Sequence, residues 1–288
     1  MGALDSSPVT DALGGRSDRP LRWGISLPLV AYVALIVCVL TANVVWLARP
    51  HPDTGQSYLA SLYANDALRG EIGYALKLSM VSSLISAIIA TLLAIPSAYA
   101  LSRLRVPFRA LIDTIVDLPL VIPPLIAGIA LLLFFRQSGM GQWIENHLLP
   151  VVYTQQGIVV AQFFIASAFA IRAVKAAFDQ VNPRFEAVAR SLGASGLHAF
   201  VTISLPLAKS GVIAGFIMTW ARAIGEFAPI MMVAGSTPGK TNVLPISAFL
   251  NMSAGNVEAA IAIVVLMVAI AAGTLVLFKQ LGGQGYIW

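Results

Sequence analysis

Long apolar runs separated by short polar intervals dominate the sequence. They cover residues 23–48, 76–101, 111–135, 157–178, 210–234 and 258–278. Each run has about the 20 residues that an α-helix needs to cross the hydrocarbon core of a bilayer. Only helices and closed barrels satisfy their backbone hydrogen bonds in lipid, and these runs are too long for barrel strands. The pattern therefore predicts an all-α polytopic membrane protein, a helical bundle with about six transmembrane helices.

Composition supports this assignment. Hydrophobic residues make up 58% of the 288-residue chain and charged residues only 11%, whereas about a quarter of the residues in soluble domains are charged. A secretory signal is the alternative for the first run, but that run is longer than the apolar core of about 7–15 residues that signals have. We therefore expect residues 1–22 to form a cytoplasmic tail and residues 23–288 to form a single transmembrane domain.

The distribution of cations predicts the orientation. With the N-terminus in the cytoplasm, twelve of the 18 Lys and Arg residues lie on the cytoplasmic side, five lie outside, and Arg222 falls within a span. This asymmetry favours both termini in the cytoplasm. The net charge of +5 would also suit nucleic-acid binding, but the cations flank apolar runs, so no nucleic-acid partner is expected.

The interval from residue 182 to residue 206 predicts a short amphipathic helix on the cytoplasmic side. Asn182 can cap its start, Pro183 fits the first helical position and Gly193 fits the position after its end. Glu186 and Arg190 have the spacing of an i,i+4 ion pair. One apolar stripe has the spacing i, i+3, i+4 and i+7: Phe185, Val188, Ala189 and Leu192. The helix, within a region spanning 179–209, either docks against a partner or lies on the membrane with its stripe in lipid.

Two other runs carry candidate features of a transport pathway. Pro119, Pro123 and Pro124 interrupt the third run, and such breaks are tolerated where the freed carbonyls face protein or a water-filled path. They mark either a packing kink or a gate. Arg222 and Glu226 lie four residues apart in the fifth run, where each charge is costly unless it pairs or faces the interior. They form either a structural pair or part of a hydrophilic path.

The sequence does not predict an enzyme active site. The histidines at 51, 147 and 198 lie in different loops, which does not suit a metal site. Residues 234–241 loosely fit a phosphate-binding loop, but that loop needs a buried strand before it and a helix after it. An apolar span precedes this segment, and the predicted topology places it outside the cell. We expect no catalytic residue, no metal site and no cofactor bound by this chain.

The cytoplasmic interval resembles the signature of permease subunits of binding-protein-dependent ABC importers. That signature reads Glu-Ala-Ala, a few residues, Gly, and later Ile-x-Leu-Pro. Here it stands as EAVARSLGA from Glu186 and ISLP ending at Pro206, with Val188 in place of a usual Ala. The runs DLPLVIPPLIAGIALLLFF and WARAIGEFAPIMMVAGSTPGKTNVLP resemble molybdate/tungstate permeases, with sulfate permeases as near relatives.

This resemblance implies an importer-permease fold in a bacterial or archaeal inner membrane and ATP-driven uptake of an inorganic oxyanion. Molybdate or tungstate is preferred, and sulfate or thiosulfate is the alternative. The implied partners are cytoplasmic ATPase subunits that bind ATP-Mg, a second permease copy and an extracytoplasmic anion-binding protein. The residues implied in coupling to the ATPase are Phe185, Glu186, Ala187, Ala189, Arg190, Leu192 and Gly193. The alternative from another class is a gradient-driven transporter or channel, in which Arg222 and Glu226 relay ions.

Overall fold

The structure, a computed structural model, describes residues 19–50, 57–58, 60, 64–104 and 106–281. Residues 1–18 of the predicted tail lie outside the described residues, and a helix begins at Arg19 within the rest of that tail. The chain forms two compact units, Met1–Leu59 and Ala60–Trp288. Every secondary-structure element in the described part of the chain is a helix, apart from an isolated β-bridge between Pro50 and Ser57. This confirms the all-α prediction.

The first unit contains helix α1, Arg19–Ala48. Its apolar side chains are largely exposed, with Leu27 and Leu35 both more than 60% accessible. In its last turn, Trp46 stacks on Tyr58 with 4.5 Å between ring centroids. An apolar helix with this much exposed surface suits a lipid environment.

Among the described residues, the second unit contains the helices α2 to α12 and one π-helical segment. The π-helical segment Phe200–Ser204 joins α8 to α9, so the helix is continuous from residue 196 to residue 224. The helices are α2 (Asp66–Arg103), α3 (Arg109–Val121), α4 (Pro124–Gln137), α5 (Gly139–His147), α6 (Gln155–Gln180), α7 (Arg184–Ser191), α8 (Gly196–Ala199), α9 (Leu205–Ile224), α10 (Ala228–Val233), α11 (Leu244–Ser253) and α12 (Val257–Leu281).

Contacts at the ends of α2 and α6 show that these two helices run in the same direction. Near their starts, Gln155 Nε2 donates to the Tyr74 hydroxyl at 2.9 Å. Near their ends, Ser102 Oγ donates to Asp179 Oδ1 at 2.5 Å. The chain between them must therefore return across the bundle. We call the two ends of the bundle the Tyr74 end and the Arg103 end.

The return crossing is the bent pair α3 and α4, whose axes meet at 109°. Five helices in the described residues are long and apolar enough to cross a membrane, and the bent pair makes six. The prediction of about six transmembrane helices is thus confirmed, and the third run is interrupted within its proline-rich segment, as the sequence predicts. The interruption of the fifth run was not predicted. The third run breaks at Ile122–Pro123, and the fifth ends as a helix at Ile224 and resumes at Ala228.

Prolines and a glycine explain where these helices break. Pro123 has no N–H to continue the ladder of α3, and Pro124 occupies the first position of α4, where an N–H is not needed. Gly225 caps the end of α9, and Pro229 lies in the first turn of α10. Pro119 lies inside α3 without ending it.

Small and polar residues form the core between α2, α6 and α9. Where lipid tails leave little hydrophobic drive between helices, small residues allow close approach and polar side chains bond across helices. Gly215 of α9 approaches α6 so closely that a Cβ there would lie 3.0 Å from the Ala173 Cβ. Gln162 Nε2 donates to the Ala223 carbonyl at 3.1 Å, and Trp220 Nε1 donates to Ser83 Oγ at 3.0 Å.

Candidate functional site

Helix α7 forms where its local sequence predicts, but Pro183 rather than Asn182 is its N-cap residue and the helix begins at Arg184. Asn182 Oδ1 accepts a hydrogen bond from the Arg184 N–H at 3.0 Å at the start of the helix. At the other end Gly193 has a φ of +95°, in the left-handed region that favours glycine. The Gly193 N–H donates to the Arg190 carbonyl and the Ala194 N–H to the Ala189 carbonyl, at 3.1 and 3.0 Å. This pair of bonds satisfies the free carbonyls of the last turn.

The predicted apolar stripe of α7 lines an open groove of about 670 Å³. Phe185, Val188 and Leu192 are 55%, 59% and 84% exposed. The other wall comes from the π-helical segment and the start of α9. The lining residues are Phe185, Val188, Ala189, Leu192, Thr202, Ile203, Pro206 and Leu207. An exposed apolar groove of this kind marks a site of interaction with a partner or with lipid.

Glu186 lies on the opposite, buried side of α7, and the predicted pair with Arg190 is wrong. Its carboxylate instead binds Arg103 of α2, with 3.0 Å between Arg103 Nε and Glu186 Oε1. The Tyr99 hydroxyl donates to Glu186 Oε2 at 2.9 Å, and Ser204 Oγ donates to Glu186 Oε1. Arg190 is exposed to solvent. The bonds to Arg103, Tyr99 and Ser204 are possible because Glu186 faces the bundle.

The surroundings of Glu186 keep its carboxyl ionised. Burial raises the pKa of Glu186, but the hydrogen bonds from Ser204, Tyr99 and Arg103 and the charge of Arg103 outweigh it. The pKa of this carboxyl therefore lies below its ordinary value. The remaining predicted coupling residues, Ala187 and Gly193, are exposed at the surface of α7 and its C-terminal turn.

Arg103 was not singled out by sequence analysis, because no local pattern distinguishes it from other cations at the end of a span. Its Nη2 donates to the Phe178 carbonyl at 2.7 Å and also to the Val181 carbonyl at the end of α6. The Arg103 side chain is only 10% exposed. The role of Arg103 becomes evident only from the packing of α7 against α2, which no local sequence pattern shows.

A second charged cluster joins α3 to α6, and no local sequence pattern connects its members, which lie more than 50 residues apart. Arg172 of α6 binds the carboxylates of both Asp113 and Asp117 of α3, with 3.1 Å between Nη1 and Asp113 Oδ1. Arg172 Nη2 also donates to the Asp113 backbone carbonyl at 3.0 Å. This fork fixes the half-helix that precedes the bend at Ile122–Pro123.

The structure brings Arg222 and Glu226 together as an ion pair at the end of α9. The Glu226 side chain is 3% exposed and the Arg222 side chain is 32% exposed. Of the predicted pathway residues, Pro123 and Pro124 are exposed and lie at the bend, whereas Pro119 is partly covered inside α3. These residues thus lie at the two interrupted helices.

The segment 234–241 does not have the architecture of a phosphate-binding loop. The short helix α10 precedes it, and the next helix begins at Leu244 rather than at Lys240. Gly235 and Gly239 have φ values of +74° and +68°, and the Thr237 N–H donates to Thr241 Oγ1 at 3.1 Å. The glycines therefore serve turns at the Tyr74 end, where the Tyr74 hydroxyl donates to the Lys240 carbonyl at 3.0 Å.

Known proteins share both the sequence and the fold. Over residues 86–282 the chain matches the family described as binding-protein-dependent transport system inner membrane component. A molybdate/tungstate transport system permease protein of Thermococcus kodakarensis is 36% identical over 260 residues, 89% of this chain and 92% of the relative. A sulfate transport system permease protein of Escherichia coli K12 is 32% identical over 206 residues, 71% of this chain and 74% of the relative.

Solved structures confirm the fold. A chain of a bacterial ABC transporter that imports alginate superposes with a TM-score of 0.73 at 15% identity, covering 96% of this chain and 98% of that chain. A bacterial alginate ABC transporter in complex with a periplasmic protein gives a TM-score of 0.71 at 14% identity, covering 95% of this chain and 96% of that chain. The present chain therefore belongs to the family of binding-protein-dependent transport system inner membrane components, and it is the multi-pass permease subunit of an ABC importer rather than an enzyme.

Proposed function

We propose that this permease imports an inorganic oxyanion of the molybdate or tungstate class. The support is the relative from Thermococcus kodakarensis, whose likeness extends over 89% of the chain. The sulfate permease of Escherichia coli K12 matches over 71% of the chain at slightly lower identity. Sulfate or thiosulfate is therefore the second candidate substrate.

The Arg103 end of the bundle faces the cytoplasm in this proposal, and both termini lie on that side. The support is the excess of cations at that end, which favours the cytoplasmic side of a membrane. Arg103, Arg109, Lys175 and Arg184 all belong to elements that begin or end there. The Tyr74 end then faces outward, where an extracytoplasmic anion-binding protein would deliver the substrate.

The groove of α7 is the docking site for a cytoplasmic ATPase subunit. ATP-Mg binds to that subunit and not to the permease. The observation that carries this assignment is the exposed apolar stripe, three of whose side chains, Phe185, Val188 and Leu192, are more than half accessible. A lipid surface would suit a flat or convex stripe. Here the stripe forms one wall of a concave groove with Ile203 and Leu207 on the other side, a shape that receives a protruding part of a protein.

The pathway forms between two copies of this chain in the proposed assembly, at the two interrupted helices. Unpaired backbone groups occur at membrane depth only where they face protein or a water-filled cavity. The bend at Ile122–Pro123 and the break between Ile224 and Ala228, which contains Glu226, are positions among the described residues where such groups arise. Pro119 lies one helical turn before the bend.

Docking is tested by placing a charge in the groove. We expect Leu192→Asp to abolish co-purification of the ATPase subunit with the permease and to stop ATP-dependent uptake. The matched control is Leu197→Asp, since Leu197 is 73% exposed on α8 and does not line the groove. Normal ATPase binding by Leu192→Asp, with weakened attachment of α7 to liposomes, would favour the membrane-surface alternative.

Substrate choice is tested by uptake into cells that contain the permease, its ATPase and its binding protein. We expect labelled molybdate to accumulate and unlabelled tungstate to compete with it more strongly than sulfate does. Stronger competition by sulfate would assign the permease to the second candidate. Uptake that continues without the ATPase subunit would instead support a gradient-driven transporter.

A further inference from the structure

One guanidinium group connects three helices at the Arg103 end. Arg103 belongs to α2, binds Glu186 of α7 through Nε, and binds the Phe178 and Val181 carbonyls at the end of α6 through Nη2. The Arg103 and Glu186 side chains are only 10% and 11% exposed. Tyr99 and Ser204 are further donors to Glu186. We call these four residues and their contacts the Arg103 clasp.

The clasp is closed on its inner side by aromatic rings. The Tyr99 ring lies 4.5 Å from the Phe200 ring and 5.6 Å from the Phe178 ring, measured between centroids. Phe178 is fully buried. These rings exclude water from one side of the ion pair, which strengthens the electrostatic contact and raises the cost of leaving either charge unpaired.

The clasp and the groove use opposite sides of the same short helix. Val188 and Leu192 face outward, whereas Glu186 faces the bundle. The chain connects α7 to α6 and α8 only through short turns, at residues 181–183 and 192–195. A force applied to α7 at the groove reaches the bundle through these turns, through the residues of the π-helical segment and α9 that form the other wall, and through the contacts of Glu186. Of these routes, only the contacts of Glu186 lead directly to α2.

Charged hydrogen bonds suit this transmission better than apolar contacts do. They are directional and roughly twice as strong as bonds between neutral groups, whereas apolar side chains can slide past one another. Ser204 adds a third point of contact from a π-helical segment. Such segments are frequent at functional sites, where the helix departs from regular hydrogen bonding.

We propose that Arg103 and Glu186 are positioning residues that transmit movement of α7 directly to α2 and α6. The proposal rests on the proposed docking of an ATPase subunit in the groove. Glu186 is then not a contact with the ATPase but the attachment point of α7 to the membrane helices. Tyr99 and Ser204 hold the carboxylate in the orientation that meets the guanidinium.

The test measures ATP hydrolysis and substrate transport separately in the intact complex reconstituted into liposomes. We expect Arg103→Ala and Glu186→Gln to retain the bound ATPase subunit and its basal hydrolysis. Transport per ATP hydrolysed should fall by about tenfold, within the range over which residues in a coupling network alter allosteric coupling. Arg103→Lys should restore part of this ratio, because lysine keeps the positive charge but cannot make all the hydrogen bonds that Nε and Nη2 of Arg103 make.

A milder pair of variants protects the test against misfolding. Tyr99→Phe removes only one hydroxyl from the clasp and should lower the transport ratio by about twofold to threefold. Tyr74→Phe removes a hydroxyl that donates to the Lys240 carbonyl at the other end of α2, and it should leave the ratio unchanged.

The outcomes separate this inference from the proposed function. If Leu192→Asp abolishes ATPase binding but all clasp variants keep the normal transport ratio, the clasp does not transmit movement and the inference is wrong. If the clasp variants lose the ATPase subunit itself, Glu186 merely shapes the groove, which also contradicts the inference. If Leu192→Asp binds the ATPase normally, the docking proposal fails instead.

Discussion

Gly128 of α4 and Pro229 of α10 are in backbone contact: a Cβ added at Gly128 would lie 2.7 Å from the Pro229 Cα. Both residues follow an interrupted helix, Gly128 in α4 after the bend at Ile122–Pro123 and Pro229 in α10 after the end of α9. The two segments beyond the breaks therefore pack on each other at a distance that only glycine allows.

We expect Gly128→Ala to destabilise the protein by about 1–3 kcal/mol, the usual cost of overpacking a well-packed core. Thermal unfolding of the purified permease in detergent measures the effect. Gly139→Ala is the control, because a Cβ at Gly139 meets nothing within 4 Å. Equal unfolding temperatures for the two variants would show that α4 and α10 can separate without cost.

The fork from Arg172 to α3 gives a second prediction. Arg172→Ala removes hydrogen bonds to Asp113 and Asp117 and should cost about 1.5–3 kcal/mol, the range for bonds to charged groups. Arg109→Ala is the matched control. Arg109 lies 3.8 Å from Asp113 and is 49% exposed, so its loss should cost about 0.3–0.5 kcal/mol. The same detergent unfolding assay compares them, and a larger loss for Arg109→Ala would contradict this assignment.

The lowered pKa of Glu186 predicts how stability depends on pH. The folded state binds the proton of this carboxyl more weakly than the unfolded chain does. Glu186 therefore stabilises the fold fully above the pKa of an unfolded carboxyl, about 4.3. This stabilisation is lost as the pH falls through the lower pKa of the folded state.

Unfolding temperatures measured in nanodiscs from pH 7 down through that window test this dependence. The unaltered protein should lose stability on acidification, and Glu186→Gln should lose less because it has no carboxyl to protonate there. At pH 7 the variant should be the less stable of the two. Parallel curves for both proteins would show that Glu186 does not titrate differently on folding.

The left-handed turn at Gly193 gives a fourth prediction. With a φ of +95° at this residue, Gly193→Ala should cost about 1–2 kcal/mol in backbone strain. It should also weaken ATPase co-purification, because the last turn of α7 carries Leu192. Gly196→Ala is the control, since a Cβ there meets nothing within 4 Å and no such φ is present. Full ATPase binding by Gly193→Ala would mean that the groove tolerates a distorted end of α7.

Local signals in the sequence predicted the features that depend on neighbouring residues. The stripe from Phe185 to Leu192 follows from the helical period, and the C-terminal turn of α7 follows from the chemistry of Gly193. Hydropathy could not detect the end of α9 at Ile224, because all the residues that follow through Ala234 except Glu226 are uncharged and mostly apolar. A change in backbone direction leaves no mark on a hydropathy profile.

Contacts between distant positions could not be predicted in the same way. Arg103 and Glu186 are separated by 83 residues, and the helical period offers Arg190 as the nearer cation. Burial decides between them: Glu186 faces the bundle and Arg190 faces outward. Only the packing of α7 against α2 supplies that information.

The inward orientation of Glu186 also determines the surface charge that α7 presents. With its one carboxylate neutralised inside the chain, the exposed charged groups of the helix are Arg184 and Arg190. The helix thus offers one apolar wall of the groove flanked by cations, and the matching surface of the partner is expected to be apolar with an acidic rim. The permease should consequently work with ATPase subunits taken from other transporters, provided that these keep the acidic rim. They need no group that pairs with Glu186, because its partners lie within this chain.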